Sequence, residues 1–178
     1  QQDKEHWMEI FKVIITALQE KQAMAYFTNV ALQKEAIRDG FAGEIKDPED
    51  SDYLQVTFLN VKGGKADAVT KNSMNLSIEL GDDMIQHRLN VLRAHQGGDS
   101  RYAFYNVENP AYVKVYVPRG AVFDVIEGIA QPTFKPLVNY ADLGFKKDAL
   151  LAQIEGTMTH PAPGVDQFEE SGKTVFGF

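Results

Sequence analysis

Two stretches near the start of the chain repeat apolar residues at the spacing of one helix face. In residues 3–19 these positions recur every three or four residues, at Trp7, Ile10, Phe11, Ile14, Ala17 and Leu18. A second helix is predicted over residues 30–38, because Asn29 can cap its first turn and Gly40 can adopt the left-handed conformation that ends a helix. The pattern therefore predicts a short helical N-terminal portion.

Beyond Pro48 the repeat of apolar positions changes from 3.6 residues to two. Residues 47–52 form a polar, acidic connector, which is the best candidate for an internal boundary. After it, buried and polar positions alternate as they do in antiparallel strands with one face on a core. The predicted strands cover residues 53–61, 72–80, 84–94, 112–117, 121–126 and 174–178.

These patterns together predict an α+β fold. We expect residues 1–46 to be the helical portion and residues 50–178 to be an antiparallel β-sandwich of the immunoglobulin-like kind. Residues 128–172 are interrupted by prolines, and only 147–154 is predicted to be helical there. Strands and helices do not alternate, which disfavours a doubly wound or barrel enzyme core.

Composition narrows the function classes. Eighteen Lys and Arg against 25 Asp and Glu give a net charge of -7, which argues against a nucleic-acid partner. The absence of cysteine excludes thiolate catalysis, disulfides and iron–sulfur clusters. The longest apolar run near the start, residues 11–18, is far shorter than the roughly 20 residues of a bilayer span. We therefore expect no membrane contact by this segment, which begins at Gln1 like a piece of a longer protein.

The usual catalytic motifs do not fit the sequence. Residues 62–65, Lys-Gly-Gly-Lys, lack the spacing of a phosphate-binding loop and predict a tight turn instead. The four histidines, His6, His87, His95 and His160, are scattered without metal-ligand spacing. We therefore expect no catalytic residue, no metal site and no cofactor in this segment.

One constellation suggests binding. Arg101, Tyr102, Phe104 and Tyr105 follow a Gly-Gly-Asp-Ser loop, and aromatic rings beside an arginine can form a platform for a sugar ring or for a partner's side chain. The alternative, which the sequence favours, is a connecting strand that packs Tyr102 and Phe104 onto the core. These four residues are the candidate ligand-binding site.

Several motifs in order along the chain resemble a bacterial family known as domain of unknown function 4012. There are four: Met-Ala-Tyr-Phe at residues 24–27 with the helix at 30–39 and Gly-Phe-Ala-Gly-Glu at 40–44, the glycine–lysine turn at 60–67, the Tyr-Val-Lys-Val-Tyr-Val-Pro-Arg-Gly strand at 112–120 and the Gly-Lys-Thr segment at 170–177. The resemblance covers the C-terminal part of that family and implies that residues 1–46 are the end of an upstream module.

The resemblance implies an exported protein on the bacterial cell surface, tethered to the membrane upstream of this segment. The upstream half of the family is similar to LytR-CpsA-Psr enzymes, which attach glycopolymers to the cell wall, and any lipid-pyrophosphate site would precede Gln1. The leading hypothesis is a non-catalytic extracellular module for adhesion, scaffolding or wall association, with wall glycan or another surface protein as partner. The alternatives are an accessory part of a glycopolymer transferase and a carbohydrate- or small-ligand-binding domain.

The resemblance also implies that the chain stops inside a strand whose partner strand follows in the family. We therefore expect the sandwich to be truncated at its C-terminal end. On this hypothesis, Thr174 to Phe178 lies at a sheet edge, where unpaired backbone groups could mediate self-association with another molecule.

Overall fold

The computed structural model describes residues 2–45, 51–130, 138–140 and 142–178. The chain divides into two compact units, Gln1–Glu49 and Asp50–Phe178. The domain limits predicted at residues 46 and 50 lie outside the described residues. The connector predicted over residues 47–52 lies partly outside them. Among the described helices, none combines the length and the hydropathy that crossing a bilayer requires.

The N-terminal unit contains the two predicted helices, α1 (Gln2–Gln19) and α2 (Val30–Arg38). Asn29 caps α2, because its side-chain Oδ1 accepts hydrogen bonds from the backbone N–H groups of Ala31 at 3.0 Å and Leu32 at 3.2 Å. Gly40 has a φ of +74°, which only glycine adopts without strain, and the backbone N–H of Phe41 returns to the Ala36 carbonyl. Both helix predictions are confirmed, including the cap.

The second unit is built from antiparallel strands, with one short helix, α3 (Ala149–Glu155), where the sequence predicts one. The strands are β1 (Gln55–Asn60), β2 (Thr70–Leu80), β3 (Ile85–His95), β4 (Ala111–Val117), β5 (Thr159–Ala162), β6 (Val165–Glu170) and β7 (Lys173–Gly177). Two 3-10 turns, Ala66–Val69 and Ala103–Tyr105, flank the hairpin of β2 and β3. The α+β class with antiparallel sheets is thus confirmed.

The strands of the described residues form two sheets. Five strands pair in the order β1-β4-β7-β6-β5, and β2 pairs with β3 as a separate two-stranded sheet. The hairpin predicted over residues 72–80 and 84–94 is confirmed, with Leu76 opposite Leu89. In the larger sheet Val115 of β4 lies between Val56 of β1 and Phe176 of β7.

The hydrophobic core cluster lies on one face of the five-stranded sheet, and Tyr116, Phe168 and Val175 are buried on the other face. Val113, Val115 and Val117 alternate along β4 toward the first face and form a buried cluster with Phe176. Leu89 of β3 packs against the cluster, so the hairpin contributes to the same core. Partly buried side chains from β1 and from the segments after β4 and β7 complete it: Leu54, Val56, Phe58, Ala121, Phe123 and Phe178.

The strand predicted over residues 121–126 is wrong. These residues have no strand pairing, although Phe123 packs its ring against Phe176 with the centroids 5.5 Å apart. A strand needs a neighbour with a free edge, and both edges of the preceding β4 are already paired, with β1 and β7. The alternating hydrophobicity of residues 121–126 reflects the contact of two single side chains, Ala121 and Phe123, with the core.

The edge position predicted for Thr174 to Phe178 is also wrong. This segment is β7, which pairs with β4 on one side and with β6 on the other. The partner strand is β6, which comes earlier in the same chain and lies in the stretch 128–172, where the prolines obscure the pattern. With both edges paired, β7 offers no free backbone groups for self-association.

The burial of β7 leads to a stability prediction. Val175→Ala removes two methyl groups from a side chain that is 0% exposed, so it should lower the free energy of unfolding by about 2 kcal/mol. Val122→Ala makes the same change at a side chain that is 88% exposed and should have almost no effect. Urea unfolding followed by circular dichroism measures both, and equal effects would contradict the burial of β7.

Candidate functional site

The four residues proposed from the sequence lie together in a compact group, here called the aromatic cluster: Arg101, Tyr102, Phe104 and Tyr105. The rings of Tyr102 and Phe104 stack with centroids 5.4 Å apart and 21° between their planes. Tyr105 meets Phe104 edge-on at 4.5 Å and Tyr102 at 6.0 Å. The three rings therefore hold each other in fixed orientations.

Two cationic side chains lie over the rings of the aromatic cluster: Arg101, which belongs to the cluster, and Lys65. The guanidinium carbon of Arg101 is 4.6 Å from the Tyr102 ring centroid, and its Nη2 donates a hydrogen bond of 2.6 Å to the Tyr102 hydroxyl. The ammonium of Lys65 is 5.3 Å from the Phe104 centroid. Sequence reasoning missed Lys65, since it lies far from Arg101 in the chain; its only signal was the glycine–lysine turn.

The cluster is carried by a tight loop and is open to solvent. Tyr102 is 43% exposed and Phe104 is 42% exposed, and the backbone here forms a 3-10 turn. The alternative prediction, a connecting strand that packs both rings onto the core, is therefore wrong. A strand is prevented by the local hydrogen bonds of the loop.

Asn106 makes those hydrogen bonds. Its Oδ1 accepts from the backbone N–H groups of Gly98 and Ser100, both at 3.0 Å, and its Nδ2 donates to the Ser100 carbonyl at 2.8 Å. Gly97 has no room for a side chain, because an added Cβ would collide with the Tyr105 carbonyl oxygen and come within 2.7 Å of His95 Cε1. The loop is therefore closely packed beneath the rings.

Asp67, beside the Lys65 turn, joins four segments of the chain. Its carboxylate accepts hydrogen bonds from Asn109 Nδ2 at 2.6 Å, from Arg93 Nη2 at 2.6 Å and from Asn60 Nδ2 at 2.7 Å. These donors come from the end of β1, from β3 and from the segment before β4. The carboxylate therefore fixes the 3-10 turn that carries Lys65 relative to both sheets.

The same contacts change the acidity of this carboxyl group. The hydrogen bond from Asn109, followed by those from Arg93 and Asn60, lowers the pKa of Asp67 below its usual 3.8, although partial burial acts in the opposite direction. The tight turn predicted at residues 62–65 is confirmed, since Gly63 has a φ of +64° and its N–H reaches the Asn60 carbonyl. Asn60 thus connects the turn and the carboxylate.

A second group of polar side chains lies on the face of the five-stranded sheet opposite the core. The Tyr112 hydroxyl donates to Asp166 Oδ2 at 2.7 Å, and His160 Nδ1 lies 3.0 Å from Asp166 Oδ1. Lys114 forms an ion pair with Glu170 at 2.5 Å, with both side chains about four-fifths buried. Gly177 leaves room for the hydrogen bond between Tyr112 and Asp166, because a Cβ at this position would collide with the Tyr112 hydroxyl.

This polar face holds its charges in pairs. Burial, together with the hydrogen bond to Asp166, raises the pKa of Tyr112, so the phenol stays protonated. Burial acts to lower the pKa of Lys114, but the hydrogen bond to Glu170, the neighbouring Tyr116 and the charge of Glu170 together outweigh burial and raise that pKa, so the ammonium stays charged. Neither group is poised to exchange a proton near neutral pH, so the arrangement is suited to joining β4 to β6 across β7.

Sequence reasoning missed this polar face. The alternation of Tyr112, Lys114 and Tyr116 on β4 was visible, but its partners Asp166 and Glu170 lie in the stretch where no strand was predicted. The buried residues of β6, Val165 and Phe168, are three positions apart, so no period-two pattern indicated this strand.

The remaining histidines and carboxylates do not gather into a metal site within the described parts of the chain. His87 Nε2 lies 2.7 Å from Asp52 Oδ2, and His160 Nδ1 contacts Asp166 Oδ1 as described above.

Comparison of the chain with protein-family models, curated proteins and solved structures finds no match in any of the three.

The Asp67 contacts predict a pH-dependent contribution to stability. Because the folded-state pKa is lowered, this contribution is fully present above pH 3.8 and is lost as the pH falls through the folded-state value. Asp67→Asn should therefore lower the free energy of unfolding near neutral pH, by about 1 kcal/mol for a partly exposed group. The difference from the unmodified protein should shrink below about pH 4.

Urea unfolding at a series of pH values checks this expectation. Asp83→Asn is the matched control, because it removes the same charge from the exposed turn between β2 and β3. A difference for Asp67→Asn that stays constant from neutral to acidic pH would contradict a stabilising role of its ionised form.

Proposed function

We propose that this chain is a non-catalytic, extracellular, immunoglobulin-like module of a bacterial cell-surface protein that binds cell-wall glycan through the aromatic cluster. The observation that carries the proposal is a set of three aromatic rings in mutual contact, with Tyr102 and Phe104 about two-fifths exposed and Arg101 and Lys65 beside them. Cell-surface location is supported by the resemblance of the four motifs to the bacterial family. The packing of Leu89 from the hairpin onto the core of the five-stranded sheet supports a two-layer module.

The chemistry of the cluster suits a sugar. Pyranose rings have apolar C–H faces and polar edges, and aromatic rings with hydroxyl groups match both parts. The Tyr102 and Tyr105 hydroxyls can exchange hydrogen bonds with sugar hydroxyls beside the ring faces. The fixed orientation of the three rings limits the conformational entropy that is lost on binding.

The two cations favour a glycan that carries negative charge. Arg101 and Lys65 supply positive charge on a chain whose net charge is -7. This surface would therefore attract an anionic ligand more strongly than most other surfaces of the chain. Bacterial wall glycans carry carboxylate or phosphodiester groups beside their sugar rings. Cation and ring together would therefore recognise both parts of such a polymer.

Cosedimentation with purified, insoluble bacterial cell wall tests the proposal. Tyr102→Ala combined with Phe104→Ala removes the stacked pair of rings. The double variant should bind at least about tenfold more weakly, which corresponds to a loss of about 1.4 kcal/mol of binding free energy. Arg101→Gln should weaken binding to anionic wall more than binding to wall stripped of its anionic polymer. Raising the salt concentration should reduce that difference.

The control is a second aromatic pair. Tyr140 and Phe145 meet edge-on at 5.6 Å and are 57% and 65% exposed, but no cation lies on them among the described contacts. Alanine at both positions should leave wall binding unchanged. The proposal fails if the unmodified chain does not bind, or if the Tyr102 and Phe104 variant binds equally well while its circular dichroism spectrum is unchanged.

A further inference from the structure

Strand β2 has a long free edge. It runs for 11 residues, pairs only with β3 among the described residues, and is exposed at every position after Thr70. One of its edges therefore presents a row of unpaired backbone N–H and C=O groups. Such an edge is a template for another strand unless the protein protects it.

The other sheet edges are shorter or protected. β1 has six residues, and β5 has four, with Pro161 inside it and a shift in its register with β6. β3 is as long as β2 but less exposed, because five of its 11 residues are partly buried, whereas every residue of β2 after Thr70 is exposed. Within β2, by contrast, there is no proline and no irregularity in its pairing with β3.

The apolar face of β2 is also uncovered. Met74, Leu76 and Ile78 are 56%, 38% and 48% exposed, and they lie on the face of the hairpin that includes Leu89. Leu89 is packed against the core, so the β3 half of this face is covered and the β2 half extends beyond it. A neighbouring strand with the same apolar pattern would continue this face.

Charge selects the partner and the register. Lys71 and Glu79 are the two charged residues of β2, and each lies four positions from Asn75. Within the hairpin they face uncharged residues, Ala94 and Gln86. If two β2 strands pair antiparallel about a twofold axis at Asn75, each Lys71 lies opposite the Glu79 of the other strand.

We propose that a second copy of this chain pairs its β2 antiparallel with the β2 of the first, in the register centred on Asn75. The contact is self-complementary, as a twofold interface requires, and joins the two hairpins into one continuous sheet. Met74 then lies opposite Leu76 of the other copy, so the two exposed apolar faces meet. A shift of register separates the charges, which makes this register the favoured one.

Charge reversal tests the partner. Lys71→Glu and Glu79→Lys each replace two attractive contacts across the axis by two repulsive ones, and each should raise the dimer dissociation constant about tenfold or more. Mixing the two variants restores two opposite-charge contacts, so the mixture should form heterodimers. The double variant carrying both reversals should form homodimers again. Sedimentation velocity over a concentration series measures all four samples.

Crosslinking tests the register. The chain has no cysteine, so Asn75→Cys introduces a single thiol on the proposed axis, where it would face its own copy. Mild oxidation with copper–phenanthroline, or a short bifunctional thiol reagent, should then give a covalent dimer. Asn90→Cys is the matched control, because Asn90 is the exposed partner of Asn75 on β3 and lies one strand away from the axis.

The control for charge is Lys146→Glu, which makes the same reversal at another exposed site and should leave the dissociation constant unchanged. The proposal is overturned if the chain is monomeric at every concentration, or if the mixed charge variants stay monomeric while the unmodified chain dimerises. Equal crosslinking of the Asn75→Cys and Asn90→Cys variants would also overturn it. Wall binding by the aromatic cluster is measured separately, so neither result decides the other.

Discussion

The pairing of β7 on both sides holds the larger sheet together. β7 is the last strand in the chain, yet it lies between β4 and β6 at the centre of the sheet order. All five of its residues are buried, because its two edges are paired and both of its faces are covered. Without it, β5 and β6 would have no backbone pairing with β1 and β4, and only the side-chain contacts between β4 and β6 would remain.

Each face of β7 contributes to a different part of the molecule. Phe176 points to the core face, where it joins the valines of β4 and the ring of Phe123. On the opposite face, Gly177 leaves the space through which Tyr112 reaches Asp166, and Lys114 crosses the same strand to Glu170. One five-residue strand therefore supports an apolar core and a network of paired charges at once.

The aromatic cluster shows how local and distant constraints combine. Asn106 shapes the loop through hydrogen bonds within eight residues of itself, and sequence reasoning located the rings and Arg101 without any structure. Lys65 reaches Phe104 because Asp67 ties its turn to Asn60, Arg93 and Asn109. Those donors come from three separate segments, so no local pattern could indicate that they meet.

The sequence by itself determined the elements that depend on neighbouring residues. The cap of α2 at Asn29, the turn at Gly63 and the hairpin of β2 and β3 follow from side chains within a few positions of each other, where propensity and alternation act directly. Strands β5 and β6 were missed, because Pro161 lies inside β5 and the buried residues of β6, Val165 and Phe168, do not alternate. Residues 121–126 alternate like a strand but pair with no other described strand.

Only the tertiary structure decided which edges are free. Strand pairing depends on backbone groups that every residue carries, so alternation indicates that a strand exists but not which strand becomes its neighbour. The position of β7 inside the sheet and the free edge of β2 were therefore decided by packing between residues distant in sequence. β4 pairs with one edge of β7 and β6 pairs with the other, and in this position Phe176 and Val175 are buried.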